Sequence, residues 1–401
     1  MNDIPAILGG TPVLSEMAGI VKPSISDYTT PELMDRIEGI LKSNMVTNGV
    51  TVKELEATMA DYLGVDYLVA VSSCTLGQTL AIAAAGLQGK KMIVPSFTIA
   101  ATANAAYWNR CEIIFADLDL DTYNMSLDHL EELLVNDDVA AIMPVHVFGN
   151  PVHVAEIEAL AVRHGATVVY DAAQGFGADY HEKRLGNNGL FEVFSGSPTK
   201  HFTSAEGGFV ATNDEKLAEM VKLARNYGVL PNYDCVIPGL NARMPEINAA
   251  IGLAILPGTD EFTTNRNRYA KMYQNGLAAV PGITFQKITP GSYSTYNYLG
   301  LMVEPTEFGM TNRDLEAALK AENIATKVYY HPPVHQQTAY VEIVGRQTLP
   351  NTEYLADRII CLPLYNHMDS GMLESICAAV RRIHANSDDV KKSLAAKLAS
   401  V

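Results

Sequence analysis

Between about residues 65 and 213 the chain alternates short aliphatic runs with amphipathic segments, and few folds accept that order. Asp66–Ser72, Lys91–Pro95, Glu112–Ala116, Ala140–Val145 and Thr167–Tyr170 are brief and rich in Val and Ile, the pattern of strands buried on both faces. Helical patterns lie between them. Ser126–Val135 opens with Ser126 as an N-cap and carries Leu127, Leu130, Leu133 and Leu134 on one face. Pro151–His164 opens with proline in its first turn and stops before Gly165. Repeated alternation of this kind predicts an α/β fold, a mostly parallel sheet flanked by helices. Ligands in such sheets sit at the carboxyl ends of the strands.

The flanks have a different texture. Thr30–Lys42 and Val52–Leu63 read as helices joined by the loop Asn44–Thr51. Asp260–Ala278 is a long helical pattern ending near Pro281, and Asn312–Glu322 is a helix with Thr311 as its N-cap. These features divide the chain into a large α/β unit with an N-terminal helical segment, residues 1–259, and a smaller C-terminal α+β unit, residues 260–401.

Composition narrows the possible partners. The formal charge is −16, so nucleic acid and anionic membranes, which need basic patches, are expected to be excluded. A phosphorylated ligand would have to be held locally, by helix N-termini and a few cations. The five cysteines are scattered and never form a C-x-x-C pair, which argues against a disulfide framework and against a zinc site. No signal-peptide pattern and no apolar run of ~18 residues occurs, so a cytoplasmic location is expected.

Three places carry chemistry. Ser72-Ser73-Cys74-Thr75-Leu76-Gly77 follows a strand and opens an alanine-rich helix, which suits either an anion or an ordinary cap. Asp171-Ala172-Ala173-Gln174 puts a carboxylate at a strand's carboxyl end, for a ligand or equally for a helix cap. Ser195-Gly196-Ser197-Pro198-Thr199-Lys200 lies after the apolar run Leu190–Phe194 and ahead of the strand Phe209–Thr212. A lysine held there away from water would favour the neutral amine that forms imines, although most lysines are simply solvated.

Taken together, the order of a phosphate-type helix start, a strand-end aspartate and a lysine resembles the fold-type I pyridoxal-phosphate enzymes. More closely, the chain resembles the DegT-type sugar aminotransferases, through Pro95-Ser96-Phe97-Thr98, Val145-His146-Val147-Phe148-Gly149, Asp171-Ala172-Ala173-Gln174, Ser195…Thr199-Lys200…Glu206-Gly207-Gly208, Arg225-Asn226-Tyr227-Gly228, Gly239-Leu240-Asn241-Ala242-Arg243-Met244, Tyr330-His331-Pro332-Pro333-Val334-His335 and Leu362-Pro363-Leu364-Tyr365. The resemblance implies that Lys200 holds pyridoxal 5'-phosphate as a Schiff base and moves the substrate proton. Asp171 would keep the ring nitrogen protonated. Gln174 would meet the ring hydroxyl. Thr75, the Leu76 backbone and Ser195 would hold the phosphate, with Cys74 beside it and Asn241 reaching it from the other subunit of a homodimer.

Two departures stand out. Ile99 occupies the position that usually places an aromatic ring over the cofactor, and Gly196 stands where an aromatic is common. The second implies either a larger pocket or compensating packing. Arg243, Lys327, His331 and His335 would supply positive charge for a nucleotide diphosphate or a donor carboxylate. Alternatively, His331–His335 is a rigid turn bearing surface histidines. It is not a metal site, since two prolines forbid the helical spacing.

The resemblance implies amino transfer from glutamate or glutamine to a keto sugar nucleotide. The run Thr203-Ser204-Ala205-Glu206-Gly207-Gly208 lies nearer the pattern of enzymes that aminate C4 of a 4-keto-6-deoxy sugar. A 3-keto sugar or a cyclitol ketone is the alternative substrate, and a non-catalytic regulatory protein the alternative class. Dehydration, which uses a histidine in place of the lysine, is not expected.

Overall fold

The computed structural model describes residues 4–398. Its centre is a seven-stranded sheet in the order β1-β9-β8-β5-β4-β2-β3. The strands are β1 (Tyr67–Val71), β2 (Lys91–Pro95), β3 (Glu112–Ala116), β4 (Ala141–Ile142), β5 (Thr167–Asp171), β8 (Phe191–Ser195) and β9 (Gly208–Thr212); β6 (Asp179–Tyr180) and β7 (Lys183–Arg184) pair with β11 (Ser292–Tyr293) in a separate small sheet. Only β9 runs against its neighbours; the others share one direction, as the alternation predicts. Strand periodicity places the core. Val69, Val71, Val94, Val169, Val193 and Val210 bury against α3 (Cys74–Ala84), α4 (Ala100–Trp108) and α7 (Glu215–Ala224). On the other face Leu68, Ala70, Phe194 and Phe209 meet α2 (Val50–Leu63) and α8 (Glu246–Ile255), while Ile93, Ile142 and Val168 meet α5 (Leu127–Asn136) and α6 (Val154–His164).

Two expected elements are shorter in the structure. The run Ala140–Val145 pairs as a regular strand only at Ala141–Ile142, because Pro144 has no N–H to give. Its carbonyl still accepts from Asp171 N, and Val145 rejoins Asp171 by a single parallel bridge. The helix expected from Pro151 begins at Val154, after His153. Asn124 Nδ2 holds the carbonyls of Asn150 and Pro151, so they do not enter the first helical turn. At its far end Gly165 adopts φ 70° and closes the helix as expected.

The C-terminal residues build a second, antiparallel sheet in the order β10-β12-β13, from Ile283–Phe285, Leu299–Val303 and Ile359–Leu362. It is covered by the long helix α9 (Thr259–Leu277) and by helices at Asn312–Ala321 and Ser370–Ala385. Thr311 caps the Asn312 helix reciprocally with Asp314. Residues at the start of the chain pack here and not on the large sheet. Ile7, Leu8, Val13 and Leu14 join this core, and buried Glu322 accepts from Ala6 N, Val13 N and Arg382. Among the described residues, no helix is long and apolar enough to cross a membrane.

The turn from α1 (Pro31–Ser43) into α2 is fixed from a distance. Glu246, at the start of α8 and 1 % exposed, accepts from Gly49 N at 2.8 Å, Thr51 N at 2.8 Å and Val52 N at 3.2 Å. Its carboxylate therefore satisfies the free N–H groups at the N-terminus of another helix. Glu246→Ala should leave three buried donors unpaired and cost roughly 3 kcal/mol. Glu54→Ala, which removes only the exposed pair with Arg36, should cost less than about 1 kcal/mol. Denaturant midpoints of the two variants test the difference.

Candidate active site

The carboxyl ends of β1, β5 and β8 meet at one place because of Gly208. That residue pairs with both Val71 and Ser195, and a Cβ on it would lie 2.4 Å from Ser73 C and 2.5 Å from Cys74 N. Glycine lets the first turn of α3 come down against the sheet, beside Ser195. The result is a cavity of about 290 Å³ lined by Cys74, Thr75, Gln78, Ile99, Asp171, Gln174, Ser195 and Lys200, among others.

Asp171 ends β5 and is 3 % exposed. Thr102 Oγ1 donates to its Oδ2 at 2.7 Å, and Ala173 N donates to its Oδ1 at 3.0 Å. Thr98 Oγ1 lies 2.9 Å from Thr102 Oγ1, which extends the chain of hydroxyls. Both carboxylate oxygens are thus oriented by the protein. Gln174 is fixed at both ends: Phe148 N donates to its Oε1 at 2.6 Å, and its Nε2 lies 2.7 Å from the Tyr330 hydroxyl.

Lys200 sits in a loop between β8 and β9 that closes on itself. Gly196 N bonds to Gly207 O, Ser204 N to Gly196 O, and Lys200 N to Ser197 O. A Cβ at Gly196 would meet Ser204 Oγ at 2.3 Å and the Phe209 ring at 3.0 Å, so neighbouring packing fills the space of the missing aromatic. The loop is also held from behind. Asn297 Oδ1 accepts from His201 N, and Asn366 Nδ2 donates to His201 O at 2.8 Å. Arg266, 2 % exposed, donates from Nε to Asn366 Oδ1 and from Nη1 to the carbonyls of Tyr296 and Asn297. Burial pushes that guanidinium down to about 9.

The same physics acts on the lysine. Burial lowers the Lys200 amine below the ordinary lysine range, against the opposing pull of Cys74, Asp171 and Glu206. It also holds the Cys74 thiol well above the usual thiol range, with Asp171 adding to the effect. Tyr298, Tyr329 and Tyr330 line the same cavity, and burial keeps their hydroxyls protonated and able to donate.

Not all of the remaining expected residues face the cavity. The Leu76 N–H is taken by the Ser73 cap at 3.3 Å, so Cys74 and Thr75 hold the remaining early donors of α3. Ile99 lines the cavity but is 57 % exposed. Asn241 is exposed outside the cavity, where its Oδ1 accepts from Arg243 Nη2 at 3.0 Å; Arg243 lies over the Tyr227 ring. Lys327 is exposed, its backbone paired with Cys361. His331 is exposed, 3.5 Å from Asp357. His335 is neither a ligand-facing nor a surface histidine. It is 1 % exposed, with Nδ1 at 2.6 Å from Ser96 Oγ and Nε2 at 3.1 Å from Glu353 Oε1, and it pins the His331–His335 turn to the end of β2.

Gln78, Thr102, Tyr298, Tyr329 and Tyr330 were missing from the sequence-derived set. Gln78 and Thr102 carry a weak signal, as polar side chains near the starts of alanine-rich helices; Tyr330 lies within a motif of the resemblance; Tyr298 and Tyr329 carry none.

These residues fit pyridoxal phosphate. An amine deprived of solvent, a buried carboxylate for a protonated ring nitrogen and a helix start for a phosphate face one small cavity. The DegT/DnrJ/EryC1/StrS aminotransferase family matches residues 27–381. The chain is similar to the dTDP-4-amino-4,6-dideoxy-D-glucose transaminase of Shigella dysenteriae, 29 % identical over 88 % of this chain and 95 % of that one. Among solved structures it is similar to DesI in the presence of its TDP-sugar product, with TM-score 0.87 and 28 % identity over 96 % of this chain and 98 % of that chain. It is also similar to S. venezuelae DesV, with TM-score 0.86 and 28 % identity over 92 % and 99 % of the two chains. The chain belongs to the DegT/DnrJ/EryC1/StrS aminotransferase family and is a pyridoxal-phosphate-dependent aminotransferase with the fold-type I architecture.

Proposed function

We propose that the protein moves an amino group from glutamate or glutamine to the C4 ketone of a 4-keto-6-deoxy sugar carried on a nucleotide. The convergence of Lys200 and Asp171 in one cavity supports the amino-transfer part of the reading. The transaminase and TDP-sugar names of its relatives support the nucleotide-sugar part. When bound, pyridoxal phosphate supplies an electron sink for the carbon that loses its proton. Asp171, oriented by Thr102 and Ala173, is assigned to hold the proton on the ring nitrogen. Lys200 Nζ is assigned to take the substrate proton and return it, and its desolvation favours the neutral form needed for the first step. Ser195 and the first N–H groups of α3 are assigned to the phosphate, joined by Asn241 of the partner subunit.

The size of the cavity limits what enters. About 290 Å³ lies at the bottom of the range for ordinary ligand pockets, about 300–1,000 Å³. That volume supports a reading in which the nucleotide lies outside the cavity, toward a second copy of the chain. Two groups of exposed apolar side chains support that copy: Met34, Leu41, Met45, Val46 and Val50 near α1, and Tyr227, Leu230, Tyr233, Val236 and Leu240 in the loop before Asn241. We assign Arg243, beside Asn241, to the nucleotide phosphates.

Three outcomes follow. Given glutamate and equal amounts of 3-keto and 4-keto sugar nucleotides and a cyclitol ketone, kcat/KM should be highest for the 4-keto sugar. A preference for either of the others would overturn the C4 assignment alone.

Lys200→Met should abolish turnover, and its apo form should respond differently to pH. In the wild-type protein the folded lysine binds fewer protons than the unfolded one, so stability should climb as pH rises toward about 10.4, the ordinary lysine value. In Lys200→Met that part of the slope should disappear from pH-dependent denaturant midpoints.

For the dimer, Lys200→Ala and Asn241→Asp proteins, each inactive, should regain activity on subunit exchange. Hybrid sites would then hold both native residues. A fully active monomer in sedimentation analysis would contradict the shared site.

A further inference from the structure

Gln78 lies one turn inside α3, on the side of that helix that faces the cavity. It is 1 % exposed, and its Nε2 is buried without a hydrogen-bond partner in the protein. Few buried amides are left so, because an unmade hydrogen bond in the interior costs more than a made one returns. The neighbouring acceptors are engaged elsewhere: both Asp171 oxygens take protein donors, and Thr75 O accepts from Thr79 Oγ1. Side chains on an α-helix lean toward its N-terminus. A glutamine at this position therefore reaches back over Cys74 and Thr75, at the end of α3 assigned above to the phosphate.

We propose that Gln78 is a cofactor-binding residue whose Nε2 donates to the phosphate group of pyridoxal phosphate. This deepens the reading above and rests on its placement of the phosphate at α3. The helix start and Ser195 address the phosphate from its end. Gln78 addresses it from the floor of the cavity and completes its set of donors. The amide is neutral, so it adds a donor without adding charge beside Lys200.

The test uses the apoprotein with deoxypyridoxine phosphate and with deoxypyridoxine. Neither has an aldehyde, so neither reacts with Lys200, and the two differ only in the phosphate. Affinities come from titration calorimetry, and apo melting temperatures from a parallel thermal scan. Gln78→Met keeps the length of the side chain and removes the donor. It should bind deoxypyridoxine phosphate about 10- to 100-fold more weakly than wild type, the range for a lost hydrogen bond to a charged group. It should bind deoxypyridoxine unchanged, and its apo melting temperature should not fall. Gln78→Glu, nearly the same shape but anionic, should weaken the phosphorylated ligand further, with partial recovery at lower pH. If Gln78→Met binds both ligands as wild type does, or loses both equally, the amide does not serve the phosphate. If wild type itself binds the two ligands equally, the placement of the phosphate at α3 fails beneath the proposal. A fall in apo melting temperature with unchanged ligand ratios would make Gln78 a packing residue.

Discussion

The site depends on one close approach, the contact between Gly208 at the start of β9 and the first turn of α3. Any side chain at that point would collide with the backbone of Ser73 and Cys74, and the helix and strand could not stay this close. The exposed N–H groups of α3 would then leave the edge where Asp171 and Ser195 end their strands. The reversed direction of β9 follows from the same arrangement. The Lys200 loop leaves β8 at Ser195 and must return beside it at Gly208, so the next strand runs back along its neighbour. A carboxylate, an amine and a helix start are brought together by backbone geometry before any side-chain preference is considered.

Much of this was legible from residue order. Buried parallel strands carry dense β-branched residues, and the alternation around them leaves little freedom in topology. The segments Asp171–Gln174 and Ser195–Lys200 stand out because each begins at a strand's carboxyl end, where α/β sheets bind ligands, while the parts assigned to residues within them come from the family resemblance. What could not be read depends on long-range contacts. The late start of α6 turns on the side chain of Asn124, a residue far back in the chain, whereas the shortening of the Ala140–Val145 strand has a local cause in Pro144. His335 illustrates the same limit. Two histidines flanking two prolines suggest exposure, but the partners Ser96 and Glu353 lie on elements that only the fold brings near. The tyrosines of the cavity arrive from the C-terminal residues, and no local pattern marks Tyr298 or Tyr329 as belonging beside a lysine so far upstream.

Buried polar groups fasten the fold in a recurring way: one side chain from a distant element replaces water for several backbone groups at once. Glu246 does this for the start of α2, and Glu322 with Arg382 for the first residues described. Asp117 does it for Asn351 and Thr352. Each lies at a junction where a helix begins or an irregular segment crosses the surface, and where secondary structure leaves donors unsatisfied. The acidic composition thus has an internal use, since carboxylates are acceptor-only groups suited to gathering N–H donors.

The network behind Lys200 has a consequence for motion. Asn366 donates to the carbonyl of His201 while accepting from Arg266, and Arg266 holds the backbone of Tyr296 and Asn297. The Lys200 loop and the segments flanking the C-terminal sheet are therefore joined through buried bonds. Separating them would break these bonds and leave the buried Arg266 guanidinium without the acceptors it now has. The segment around Lys200 is accordingly tied to the elements beside the C-terminal sheet by the buried bonds of Asn366 and Arg266, and any displacement between them would first have to break those bonds.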